Sequence, residues 1–176
     1  MRSHCVAAAL GGLLVLSLPA AAQQSAPAAE PTSRANQILV ETAASSDSVL
    51  AKLRAYLVGN GFVLDTLDVA RGLLTTRVLE NGEVLTEQMK VRAVRVPNGW
   101  KLTGVYLIGG PRIRGVSPFT AFPATFFGLN DAPAKTAFRE LDASARAIPG
   151  GTLRYGRAKV PFGAFTKWEA ALNMPW

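Results

Sequence analysis

The chain has almost no histidine or cysteine: 176 residues contain one of each, His4 and Cys5. Both lie at the N-terminus, so the sequence beyond Cys5 carries neither an imidazole nor a thiol. Ser-His-Asp and Cys-His catalysis need these groups and are excluded there. Zinc sites built from His and Cys are excluded for the same reason. The absence of a G-x-x-x-x-G-K-[ST] motif excludes a phosphate-binding loop of that type. We therefore expect no catalytic residue, no metal site and no cofactor.

Residues 1–22 have the order of a secretory signal peptide, and we expect cleavage after Ala22. Arg2 gives a positive start, Val6 to Leu18 is an apolar run, and the chain turns polar at Gln23. That run is about 13 residues, shorter than the ~20 that span a bilayer. Cys5 precedes the cleavage point and cannot become a lipid anchor. The expected product is periplasmic or secreted and does not span a membrane.

The remaining chain predicts one domain. Residues 23–36 are rich in Ala, Pro, Ser and Gln, which is typical of a flexible leader. Residues 37–157 contain the periodic segments of a single α+β domain. Residues 158–176 form a C-terminal tail with apolar residues spaced for a short helix. The composition, 49% hydrophobic and 18% charged, is that of a globular protein.

Helical spacing occurs twice. Leu50, Leu53 and Leu57 follow N-cap residues at 45–47 and precede a Gly-Asn-Gly stop. The second helix is predicted from the spacing of residues 138, 141, 145 and 148, with Asp131 as its N-cap and Pro133 in its first turn.

Period-two alternation predicts five strands, at Gln37–Thr42, Phe62–Leu67, Leu73–Leu79, Val84–Val96 and Trp100–Ile108. A short sixth segment can follow at residues 152–156. Asn81-Gly82 is the strongest hairpin signal, and it would place Leu74 opposite Met89. The next turn would place Met89 opposite Ile108. We predict a five-stranded antiparallel sheet in the order strand, helix, four-strand meander, helix, with both helices on one face.

The predicted register separates the strand residues onto two faces. The apolar face is expected to contain Phe62, Leu64, Leu74, Val78, Leu85, Met89, Val91, Ala93, Leu102, Tyr106 and Ile108. The opposite face is expected to contain Asp65, Thr75, Arg77, Thr86, Gln88, Lys90, Arg92, Lys101 and Thr103.

The stretch from Leu53 to Thr76, in which a helix runs into Gly-Phe, a strand, Asp and Arg-Gly, carries a family resemblance. It resembles the helix-grip domains of the outer-membrane β-barrel assembly lipoprotein family, and the element order resembles TBP-like and helix-grip folds. The resemblance implies that fold and an association with the cell envelope. The chain departs from the family in having no lipidation cysteine after the signal peptide.

Basic residues on the polar face indicate a possible anion-binding surface. Arg77, Lys90, Arg92 and Lys101 share this face by register, and such a field suits phosphate or carboxylate groups. The alternative is an ordinary solvated surface. Expected partners are an envelope protein, an anionic lipid or a glycolipid, and export argues against nucleic acid.

Residues 111–130 read as a loop rich in Pro, Gly and Phe. Four phenylalanines lie within it, after two arginines: Arg112, Arg114, Phe119, Phe122, Phe126 and Phe127. A long aromatic loop predicts either a ligand-covering lid or a docking patch for a partner. The alternative is that the loop folds back and closes the core.

These observations predict an exported, non-catalytic binding or envelope-associated module. The first alternative is a helix-grip carrier of an apolar or anionic lipid-like ligand. The second is a hydrolase that uses the turn carboxylates Asp65, Asp68, Glu80 and Glu83, although acids at turns more often cap or face solvent.

Overall fold

The computed structural model describes residues 27–79, 84–109, 119–163 and 165–176. This part of the chain is an α+β structure with seven antiparallel strands and three helices. The elements are β1 (Gln37–Glu41), α1 (Ser46–Gly59), β2 (Val63–Asp68), β3 (Leu73–Arg77), β4 (Met89–Val96), β5 (Gly99–Gly109), β6 (Phe119–Pro123), α2 (Pro133–Arg146), β7 (Thr152–Gly156) and α3 (Trp168–Asn173). No helix of the described residues is long and apolar enough to cross a membrane.

The sheet has two strands more than the five predicted: β7 is the short segment anticipated at residues 152–156, and β6 was not predicted. Its order is β2-β3-β4-β5-β1-β7, and β6 also pairs with β5. The long strand β5 makes this possible, because β1 pairs with its first half and β6 with its second half, along the same edge. Strand β6 lies inside the predicted loop 111–130, and its Pro123 is tolerated because it is the last residue of an edge strand.

The predicted pairings on either side of β4 are wrong, each by an even number of residues. Leu74 pairs with Ala93, a slip of four positions from Met89, and Met89 pairs with Tyr106, a slip of two from Ile108. The first slip arises because residues 84–88 form turns, so β4 starts at Met89. Asn81-Gly82 lies outside the described residues. Since side chains alternate with period two, even slips leave the residues of the paired strands on their predicted faces.

Helices α1 and α2 cover the apolar face of the sheet. Most of the predicted apolar residues are buried there, and Met89 is fully buried as predicted. Two predicted residues are exceptions. Ile108 is 41% exposed near the end of β5, and Val78, which follows the end of β3, packs against a second cluster on the other side of the sheet. Ser45 caps α1, its hydroxyl accepting from the Ser48 N–H at 3.3 Å. Asp131 does not cap α2: the N-cap is Ala132, and no side chain bonds the first turn.

The prediction of two helices on one face is incomplete, because α3 packs on the opposite face, here called the outer face. Val105, Leu107, Ala121 and Ala171 form a second buried cluster between α3 and strands β5 and β6. Trp168 contacts Phe119 edge-on at 5.8 Å between ring centroids. The expected short helix of the tail is thus a packed element of the domain.

Residues 27–36, which the composition assigns to a flexible leader, contact the domain. Ala35 is fully buried in the main core, and Ala28 forms a bridge with Tyr155. The Asn36 side chain bonds Ala158 in both directions, donating to its carbonyl at 3.0 Å and accepting from its N–H at 2.8 Å. The ordered domain therefore begins before residue 37.

Candidate functional site

A cleft of about 200 Å³ lies on the outer face, between the sheet and the C-terminal tail. One wall comes from β2 to β5 and the other from the end of α3 and the residues after it. The lining residues are Asp65, Thr66, Thr75, Lys90, Arg92, Thr103, Val105, Leu172, Asn173, Met174 and Trp176.

The floor of the cleft is a polar row that crosses three strands. Pairing places Thr75 of β3 opposite Arg92 of β4, and Arg92 opposite Thr103 of β5. A bulge in β2 puts the extra residue Asp65 beside Thr66, which pairs with Thr75. Because a bulge sets two residues against one, it brings the Asp65 carboxylate and the Thr66 side chain into the same cleft.

Asp65 and Lys90 form the one charged pair of this floor among the described residues. The Lys90 ammonium lies 3.5 Å from the Asp65 carboxylate, to which the Thr75 hydroxyl also donates at 3.1 Å. Only 15% of the Lys90 side chain is exposed, although it projects from the outer face. The tail covers it, so Lys90 is not the freely solvated residue that an uncovered sheet face would give.

Arg92 and Lys101 are two neighbouring cations with no carboxylate partner in the described part of the chain. They are diagonal neighbours on the outer face, since Arg92 pairs with Thr103 and Lys101 with Val94. Burial and the charge of Arg92 lower the pKa of the Lys101 ammonium below its usual value. The fold therefore holds two like charges together, and a bound anion would relieve the cost.

The structure brings together three of the four basic residues predicted for this face. Lys90 and Arg92 line the cleft and Lys101 lies beside Arg92. Arg77 is exposed at the last position of β3 and does not line the cleft. The pairing of β3 with β4 stops at Thr75, after which the Thr76 hydroxyl accepts from the Val91 N–H at 2.8 Å.

The wall formed by Leu172, Met174 and Trp176 was not anticipated from the sequence. The available signal was the spacing of Trp168 and Leu172, four residues apart, which gives the short α3 one apolar face. Val105 and Leu107 gave the matching signal, as apolar residues on a strand face that is otherwise polar. Together, the apolar face of α3 and the apolar pair Val105 and Leu107 would have predicted that the tail packs on the outer face.

The four loop phenylalanines separate into three environments. Phe122 stacks on Tyr106 at 5.8 Å and Phe126 contacts Phe138 at 5.7 Å, both against the main core. Phe119 packs in the second cluster. Phe127 is 54% exposed. Arg112 and Arg114 lie outside the described residues, so the six do not form a single described patch.

The turn carboxylates do not converge within the described chain. Asp68 accepts from the Arg71 N–H at 2.9 Å and pairs with its side chain, which is a turn-capping role. Glu80 and Glu83 lie outside the described residues. The described chain contains no group of three His, Cys, Asp or Glu residues that could hold a metal ion.

A second cleft, of about 670 Å³, opens at the end of the sheet beside the start of α1. It is lined by residues 41–46, 95–100 and Gly150, and one of its charged residues, Glu41, is already paired with Arg154 at 2.8 Å. Neither of these two clefts lies between the helices and the apolar face, where a helix-grip carrier would hold its ligand.

No family model matches this chain, and no curated protein is similar enough to count as a match.

Proposed function

We propose that this protein is an exported, non-catalytic binding module of the cell envelope that holds an anionic group in the outer-face cleft. The observation that carries the proposal is Arg92, a partly buried cation that lines the cleft, with Lys101 next to it outside the lining; neither has a carboxylate partner among the described residues. The sequence order of residues 1–22 supports export.

The size and chemistry of the cleft favour a small anion over an acyl chain. Its volume of about 200 Å³ is below the ~300–1,000 Å³ of sites that enclose drug-sized ligands. Arg92 can donate two parallel hydrogen bonds to a phosphate or carboxylate. The hydroxyls of Thr75 and Thr103 lie on the same floor. These groups suit the phosphate of a lipid headgroup, a glycolipid or an acidic protein side chain.

Inorganic phosphate is the probe for this site, with binding followed by NMR of the isotope-labelled protein. Arg92→Gln should weaken phosphate binding by tenfold or more, because a hydrogen bond to a charged group contributes about 1.5–3 kcal/mol. Phosphate should also raise the pKa of the Lys101 ammonium, since a nearby anion favours the charged form.

Arg77→Gln is the matched control. It removes the same charge from the same sheet, but from an exposed position outside the cleft. We expect it to change phosphate affinity less than twofold, the scale of a screened surface charge. Equal losses in the two variants would show that phosphate senses only the overall positive charge, and the proposed site would be wrong.

A further inference from the structure

The loop between β6 and α2 exposes two apolar side chains. Phe127 is 54% exposed and Leu129 is 85% exposed, whereas the adjacent Phe126 packs against Phe138 of α2. Large apolar groups at neighbouring surface positions are costly in water unless something covers them.

Backbone hydrogen bonds hold this loop firmly. The Phe126 N–H donates to the Ala35 carbonyl at 2.8 Å, and the Arg34 N–H donates to the Phe126 carbonyl at 3.0 Å. The Thr125 N–H donates to the Ala134 carbonyl at 3.1 Å. The exposed side chains are therefore presented from a fixed backbone, which lowers the entropy cost of inserting them into a partner.

Basic side chains surround the two apolar ones. The Arg34 guanidinium lies 5.5 Å from the centre of the Phe127 ring, and the Lys135 ammonium lies 4.8 Å from that of Phe126. Lys135 and Arg139 both donate to Asn130, at 3.0 Å each. Residues 125–139 contain two cations, Lys135 and Arg139, and one carboxylate, Asp131. The next carboxylate, Glu140, lies near Tyr56 of α1.

Arg34 adopts a left-handed backbone conformation with φ of 67°, the only non-glycine residue in the described chain with positive φ. This conformation is costly for a residue with a Cβ atom. It allows Arg34 and Ala35 to bond both backbone groups of Phe126. Glycine would adopt this conformation at lower cost, so the backbone does not explain an arginine at this position. The Arg34 side chain therefore needs a separate explanation.

We propose that the patch formed by Arg34, Phe127, Leu129, Lys135 and Arg139 docks on the surface of a bilayer of anionic lipids. A rigid apolar tip inserts at the boundary between headgroups and acyl chains, and the surrounding cations bind the lipid phosphates. The chain from Gln23 onward has 18 Lys and Arg against 12 Asp and Glu, since Arg2 is the one charged residue of 1–22, and this net charge of +6 adds long-range attraction to a negative surface. This docking is independent of the outer-face cleft.

Co-sedimentation with lipid vesicles tests this inference on the protein recovered from expressing cells, with its N-terminus fixed by intact mass. The parent protein should bind vesicles of phosphatidylglycerol and not those of phosphatidylcholine. Leu129→Ser should lower the partition coefficient for phosphatidylglycerol at least about tenfold, because burial of a leucine side chain exceeds the free energy of a tenfold change. Added salt should weaken binding by the parent.

Arg34→Gly separates binding from folding. It should leave the melting temperature unchanged or raise it, because glycine relieves the left-handed strain, and it should weaken vesicle binding about fivefold, the effect of one cation near the membrane. Val58→Ser is the matched control for Leu129→Ser: Val58 is 52% exposed but lies on α1, and its loss should not alter binding.

Three results would overturn the inference. The first is parent protein that fails to bind phosphatidylglycerol vesicles, which would leave a protein partner as the occupant of the patch. The second is equal binding to both lipids, since the cations would then have no role. The third is loss of binding in Arg92→Gln as large as in Leu129→Ser, which would place the membrane contact on the outer face.

Discussion

Tyr155→Phe is expected to change both the stability of the fold and its dependence on alkaline pH. Tyr155 of β7 is 2% exposed, and its hydroxyl joins two side chains of α2. The hydroxyl donates to the Asp142 carboxylate at 2.6 Å and accepts from the Arg146 guanidinium at 3.0 Å. The variant therefore loses the polar link between β7 and α2 while keeping the ring.

The structure gives the size of the effect at neutral pH. A hydrogen bond to a charged group contributes about 1.5–3 kcal/mol. The side chains of Asp142 and Arg146 are 22% and 62% exposed, so water can replace the lost hydroxyl. We expect Tyr155→Phe to lower the free energy of unfolding by about 1–2 kcal/mol at pH 7, the lower part of that range.

The same residue sets an alkaline limit. Burial, followed by the hydrogen bond to Asp142, raises the pKa of Tyr155 from 10.0 to about 12. A raised pKa in an acid means that the fold favours its neutral form. The stabilisation of the fold by the neutral Tyr155 hydroxyl is thus complete below pH 10 and is lost as pH rises toward 12. This rise in pKa corresponds to about 2–3 kcal/mol of stability, so the free energies of unfolding of the parent and of Tyr155→Phe should become equal at about pH 11.

Urea unfolding between pH 8 and pH 11 measures this difference, because lysines and the other tyrosines titrate equally in both proteins. Tyr56→Phe is the control at pH 7: Tyr56 is partly buried on α1, with no hydroxyl hydrogen bond among the described residues, and its loss should cost less than about 0.5 kcal/mol. A gap between parent and Tyr155→Phe that stays constant up to pH 11 would refute the linkage argument.

Further predictions concern the core, the loop and processing. Met89→Ala should lower the free energy of unfolding by about 2–5 kcal/mol in urea titrations, because Met89 is fully buried. Phe122→Ser should destabilise the fold by several kcal/mol while Phe127→Ser changes the melting temperature little, and similar losses would contradict the packing described for the loop. The exported protein should begin at Gln23 by intact mass, and a product that retains Cys5 would disprove cleavage after Ala22.

The faces of the sheet were predictable from sequence because they depend only on parity. Alternation in β4 fixes Met89 as buried and Lys90 as outward whichever neighbour each residue pairs with. The exact pairing was not predictable, since it depends on where residues 84–88 leave the strand. Strand β6 was missed because five residues with a terminal proline are a weak signal without the edge of β5 to receive them.

The candidate site was only half predictable for a related reason. Its floor follows from strand alternation, which is local, and Lys90, Arg92 and Lys101 were found that way. Its other wall depends on a six-residue helix that is stable only when docked on the sheet. A helix of that length has little intrinsic signal, so its location on Val105 and Leu107 is visible only in three dimensions.

The position of β1 constrains the order in which the chain can fold. Strand β1, which comes first among the described strands, lies inside the sheet between β5 and β7, and Ile38 pairs with Tyr155 near the other end of the sequence. Its backbone groups find both neighbours only after almost all of the chain has been made. Such distant pairing is entropically expensive to nucleate and slows folding. Strand β1 therefore stays without its two strand partners through most of synthesis, and the native sheet closes late.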